Sequence, residues 1–189
     1  MSTQAPWQTS EQIDNSPRIP DSLDGLGILI VDDQPDHLEL MREILVGAGY
    51  ADVFVAPDGE SALKTLDTHK QIGLVLTDLG LPGMDGYEVC KKIKSDPATQ
   101  DVCVIVVTGG AIQIDAALCK SFDSGAIDFI SKPLNRFDLL ARCQSALNLY
   151  NEKQQNLSQE LELVFREEKF KATFDYSHDG IFILNAGDL

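Results

Sequence analysis

The chain has 189 residues, 43% of them hydrophobic, which suits one ordinary domain with a packed core plus extra segments and excludes global disorder. Its 15 Lys and Arg stand against 30 Asp and Glu, for a formal charge of -15 and a pI near 4.4. That balance argues against non-specific nucleic-acid or anionic-membrane binding by this chain. No run approaches a membrane span and no apolar leader opens the N-terminus. The four cysteines, Cys90, Cys103, Cys119 and Cys143, are widely spaced, so reduced, buried thiols in a cytoplasmic protein are expected.

Residues 1–24 are rich in Ser, Thr, Gln, Asn and Pro and read as a disordered tail. From Gly27 to about Asn148, short apolar runs alternate with amphipathic stretches. Strands are expected at Gly27–Asp32, Asp52–Ala56, Ile72–Thr77, Val102–Thr108 and Asp128–Ile130. The helices between them are expected at Pro35–Ala48, Gly59–Thr68, Tyr87–Ser95 and Ile112–Ser124, with a last one from Asn135 onward. Strands alternating with helices imply an α/β domain, a five-stranded parallel sheet covered on both faces, over residues 25–148.

The last helix has no evident stop. An apolar seam runs through Leu140, Cys143, Leu147, Tyr150, Leu157, Leu161 and Val164 in three- and four-residue steps, with Gln154 at one seam position. No Pro or Gly interrupts residues 135–172. Two arrangements fit this heptad pattern: a parallel dimeric coiled coil, preferred for residues 149–172, or an amphipathic helix folded back on its own domain. Residues 173–189 change character, with Phe174, a turn at Asp179-Gly180 and an apolar strand at Ile181–Leu184. Too few residues follow the seam to bury a core, so the chain is expected to end just inside a second domain.

Chemistry is concentrated at strand ends. Asp32 and Asp33 follow LGILIV, Asp78 follows IGLVLT and Lys132 follows DFIS. Side chains just past the carboxyl ends of parallel strands converge on the ligand crevice of open α/β sheets. Three carboxylates within about 5 Å would repel by roughly 3 kcal/mol per pair at an effective dielectric of 20. A divalent cation relieves that repulsion, and an all-oxygen, water-bearing site suits Mg²⁺. With the charge neutralised by metal and Lys132, the Asp78 carboxylate can attack a phosphoryl group in line, while Thr108 donates its hydroxyl to a phosphoryl oxygen.

These residues sit in motifs that resemble a response-regulator receiver domain of two-component signalling. They are VDD at 31–33, TDLGLPGMDG at 77–86, VVTGG at 106–110 and GAIDFISKPL at 125–134. The resemblance covers about two thirds of the chain and implies a doubly wound, flavodoxin-like fold. It also implies that Asp78 is the phosphoacceptor, that Asp33 ligates Mg²⁺ directly and Asp32 largely through water, and that the Gly80 carbonyl is a further ligand. Thr108 and Lys132 would hold the phosphoryl oxygens, Phe129 would be the switch aromatic, and the Lys132–Pro133 peptide would be cis. The implied phosphoryl donor is a histidine kinase or phosphotransfer protein.

Gly80, Gly109 and Gly110 stand where family members often carry side chains, which implies a poorly shielded, short-lived acyl phosphate. A bulky polar residue at Gly80 or Gly110 should lengthen its lifetime. The terminal FKATFDYSHDGIFILNAGDL resembles the opening of a PAS domain. Receiver, coiled coil and PAS together imply a phosphorylation-controlled switch feeding a missing output domain. The alternative is a constitutive dimeric scaffold in which phosphorylation is incidental. A phosphatase of the haloacid-dehalogenase type would need an acid two residues beyond Asp78, where Gly80 stands, so the chain is read as a regulatory phosphoacceptor and not an enzyme. His37 reads as an exposed surface histidine.

Overall fold

The computed structural model describes residues 20, 23–109 and 123–185, with side chains as far as 171; the expectations for the N-terminal tail, the helix at Ile112–Ser124, Gly110, Cys119 and the last four residues fall mostly or wholly outside them. Five strands are present: β1 Gly27–Val31, β2 Val53–Ala56, β3 Ile72–Asp78, β4 Cys103–Gly109 and β5 Asp128–Lys132. Among the described residues, three helices are bounded between the strands: α1 Pro35–Gly47, α2 Gly59–Thr68 and α3 Gly86–Ser95. The C-terminal helix spans Arg136–Asn185. The strands form one parallel sheet in the order β2-β1-β3-β4-β5, the doubly wound arrangement expected.

Every residue of β1 and β3 is buried, because a central parallel strand has helices on both faces. Alternate side chains then feed two cores. Ile28, Ile30, Leu74, Leu76, Cys103 and Ile105 pack with Met41 and Leu45 of α1 and with Leu139, Cys143 and Leu147 of the C-terminal helix. Leu29, Val31, Val75, Val104 and Val106 pack on the other face with Ala62 and Leu66 of α2 and Val89 and Ile93 of α3. Cys90, Cys103 and Cys143 are free, buried thiols. Leu23, inside the expected tail, is only 2% exposed and belongs to the first core.

The heptad seam divides along its length. Leu140, Cys143 and Leu147 are consumed by the domain's own core, and Tyr150 packs partly buried against it. Leu157, Leu161 and Val164 are exposed, as are Leu163, Phe165 and Phe170. The turn at Asp179-Gly180 and the strand at Ile181–Leu184 are corrected: the helix runs unbroken to Asn185. The backbone N–H and C=O groups of this segment pair within the helix.

Candidate functional site

Asp32 is the first residue past β1, Asp78 the last of β3 and Lys132 the last of β5. Adjacency of β1 and β3 in the sheet brings the two acids together, and Lys132 reaches them across the end of β4, where Gly109 is its register partner. Lys132 Nζ lies 2.8 Å from Asp32 Oδ2 and 2.9 Å from Asp78 Oδ1. Asp32 is fully buried, Asp78 is 9% exposed and the Lys132 side chain 16%. Two backbone amides complete the carboxylates: Gln34 N–H donates to Asp32 Oδ1 and Gly80 N–H to Asp78 Oδ2, each at 2.9 Å.

Burial by itself would lower the Lys132 pKa. Its hydrogen bonds to Asp32 and Asp78, with their charges, outweigh that and hold the ammonium above the usual lysine value. The ammonium is therefore a fixed positive charge facing two nearly water-free carboxylates. Among the described residues, no three His, Cys, Asp or Glu side chains are gathered so as to hold a metal ion by themselves. The position between Asp32 and Asp78 is held by Lys132.

Other residues singled out from the sequence fall around this centre. Asp33 is exposed immediately beyond Asp32, and Gly80 is exposed beyond Asp78. Thr108 is half-buried in β4, one residue past Val107, the register partner of Asp78. Phe129 is half-buried in β5, with the Arg142 guanidinium 5.7 Å from its ring centroid. Arg142 is itself ion-paired to Asp128 and Asp138. The Lys132–Pro133 peptide is cis.

Two contributors escaped the sequence reading. His37, in the first turn of α1, is half-buried, with Nδ1 3.0 Å from Lys132 Nζ and 3.1 Å from Asp32 Oδ1. Its signal in the sequence was only its place four residues past the acidic pair. Gly86, the first residue of α3, lies against the backbone of the candidate nucleophile: a Cβ there would stand 2.2 Å from the Asp78 carbonyl oxygen. Only glycine permits α3 to start so close.

A five-stranded parallel sheet in this order, with two buried acids bridged by a lysine at its carboxyl edge, defines an α/β phosphoacceptor-type domain. Residues 28–144 match the response regulator receiver domain family, and the chain belongs to that family. It is 36% identical over 118 residues to the response regulator PleD of Caulobacter vibrioides, covering 62% of this chain and 25% of that protein. It is 39% identical over 121 residues to the DNA-binding dual master transcriptional regulator RpaA of Synechocystis sp., covering 64% of this chain and 48% of RpaA. A CheY-like receiver domain protein of Methanospirillum hungatei superposes with a TM-score of 0.61 at 30% identity, over 68% of this chain and 98% of that one. The chain thus spans at most about half the length of these two curated relatives. Receiver domains are regulatory phosphoacceptors that take their phosphate from histidine kinases. No described helix is long and apolar enough to cross a membrane.

Proposed function

We propose that this chain is a phosphorylation-controlled signalling switch whose phosphoacceptor is Asp78. The observation that carries the reading is the Lys132 ammonium bound to both Asp32 and Asp78 in a nearly dry crevice at the carboxyl edge of the sheet. An oxygen of Asp78 forms the new P–O bond while the P–N bond of a donor phosphohistidine breaks, the electron pair leaving with the imidazole. Lys132 and the Thr108 hydroxyl hold the transferred oxygens. Attack by water on the acyl phosphate resets the site, and the exposed Gly80 offers no side chain to shield it.

The oxygen donors Asp32, Asp33, Asp78 and the Gly80 carbonyl suit Mg²⁺, which when bound supplies charge neutralisation for the phosphoryl group. Phe129 is the switch aromatic, and rearrangement at Thr108 and Phe129 passes to the C-terminal helix. The exposed Leu157, Leu161 and Val164 support a parallel homodimer through that helix beyond Tyr150. Coupling to a further output domain is part of this reading, on the resemblance in sequence of residues 173–189 to the opening of a PAS domain, although the helix continues through them to Asn185.

Intact-mass analysis after incubation with acetyl phosphate and Mg²⁺, beside Asp78→Asn, tests this. One added phosphoryl group, dependent on Mg²⁺ and absent from the variant, is the expected result. No adduct in the wild-type chain, with no Mg²⁺ binding, would overturn it. The second reading is a constitutive dimeric scaffold. It is favoured by one observation: the exposed apolar row on the helix lies beyond the part of the helix that packs on the domain core. Dimer affinity unchanged by phosphorylation would select it.

A further inference from the structure

Lys132 offers three N–H donors and no acceptor. Two are taken by Asp32 Oδ2 at 2.8 Å and Asp78 Oδ1 at 2.9 Å. The third group at hydrogen-bond distance is His37 Nδ1, at 3.0 Å. With Nδ1 as the acceptor for that ammonium, the ring proton of His37 stands on Nε2. The same Nδ1 lies 3.1 and 3.2 Å from Asp32 Oδ1 and Oδ2, to which the other tautomer would donate. His37 is placed for this by α1. Pro35 opens the helix after the N-cap Gln34, which follows the acidic pair, and the His37 amide turns back onto the Gln34 carbonyl at 3.1 Å.

We infer that His37 is a positioning residue for Lys132: its Nδ1 is the third acceptor that fixes the ammonium between Asp32 and Asp78, aimed at the phosphoryl group that Asp78 receives. This rests on the phosphoacceptor reading of Asp78. Lysine has a flexible four-carbon stem and gives up rotamer freedom whenever its ammonium is held in one place. Two carboxylates alone leave the ammonium free to pivot about the line joining them, and a third acceptor off that line removes the freedom. A misplaced charge is costly in a site that works by pre-arranged electrostatics. His37 thus contributes to the rate of transfer through Lys132, without touching the phosphoryl group.

The test compares the full-length chain with His37→Leu and His37→Asn. The Asn amide oxygen lies the same number of bonds from the backbone as Nδ1 and replaces the acceptor; Leu removes it. The rate of phosphoryl uptake from acetyl phosphate at saturating Mg²⁺ should fall about tenfold in His37→Leu, the loss of one charge-assisted hydrogen bond. His37→Asn should stay within about twofold of wild type, and half-saturation by Mg²⁺ should move less than about twofold in both.

A second readout is the ¹⁵N spectrum of the His37 ring. It should show the proton on Nε2 in the wild type, and on Nδ1, donating to Asp32, in Lys132→Met. Wild-type rates in His37→Leu, equal losses in both His37 variants, or a ring proton on Nδ1 in the wild type would each overturn the inference. Should the wild-type chain take up no phosphoryl group, the phosphoacceptor reading has failed, and the ring-proton measurement alone decides whether His37 holds Lys132.

Discussion

The ring of Tyr150 lies directly on Gly73: a Cβ on that glycine would stand 2.7 Å from Tyr150 Cδ1. Gly73 is buried in β3, and Tyr150 is the last seam residue of the C-terminal helix that packs on the domain core. This contact is the last apolar anchor of the helix on the domain core, with the Lys153–Asp101 ion pair at 3.9 Å just beyond it.

Gly73→Ala should therefore push the ring away and destabilise the domain by about 1–3 kcal/mol, the usual cost of overpacking. Tyr150→Ala should cost a similar amount by removing the ring. In the double variant the clash has no partner, so the two losses should fall short of additive by about 1 kcal/mol or more. Urea denaturation of the four chains measures the cycle. Strict additivity would show that the two residues do not meet.

Lys132→Met leaves Asp32, which is fully buried, without the ammonium that pairs it, and His37 Nδ1 as its remaining side-chain neighbour among the described residues. Unpairing a buried charge is strongly destabilising, by about 3–5 kcal/mol. Adding Asp32→Asn should recover most of that loss, since the remaining amide carries no charge. Chemical denaturation at neutral pH decides it, and a double variant as unstable as the single one would contradict the pairing.

Burial pushes the Tyr50 phenol up from 10.0 to about 12, with the nearby Cys143 thiol adding to the effect. A group whose folded pKa is raised contributes its stability in full below the unfolded value and loses it as pH climbs toward the folded one. The Tyr50 contribution should be intact below pH 10 and fade between pH 10 and 12. Tyr50→Phe should match the wild type within about 1 kcal/mol at pH 7, where both rings are uncharged, and lose stability less steeply above pH 10. Equal slopes above pH 10 would remove Tyr50 from the account.

If the helix pairs with a second copy beyond Tyr150, Leu157 and Leu161 are its most central apolar contacts. Both are exposed on the single chain, at 46% and 63%. Leu157→Gln with Leu161→Gln should weaken the dimer at least about tenfold in sedimentation equilibrium, given about 1.5–3 kcal/mol for each buried Leu. Thermal stability of the domain should hardly change. A wild-type chain monomeric at all concentrations would end the dimer proposal.

The sheet was legible because each strand is a short Val-, Ile- or Leu-rich run, a composition suited to burial on both faces. Asp32, Asp78 and Lys132 were legible because strand ends of a parallel sheet converge, so three separated residues implied one site. His37 was not: it meets Lys132 across 95 residues of sequence, and nothing local distinguishes it from a solvated histidine. The seam's periodicity carried less information. Burial of Leu140 and Leu147 in the domain and exposure of Leu157 and Leu161 follow the same three- and four-residue spacing, so periodicity alone cannot say which surface a residue covers. Asp179-Gly180 carried a turn signal, but a single internal glycine costs a helix only about 1 kcal/mol, and the helix continues through it.

On the proposed reading, the unbroken helix would act as a mechanical amplifier. Its base, from Leu139 to Tyr150, is wedged into the core that holds β3 and β4, the strands carrying Asp78 and Thr108. From Tyr150 to Asn185 it runs 35 further residues, about 50 Å at 1.5 Å per residue. A tilt of about 5° at the base, no more than the repacking of one or two side chains, displaces the far end by roughly 4–5 Å over that length. An adjustment too small to disturb the sheet becomes, at the far end, a shift of nearly one helical turn.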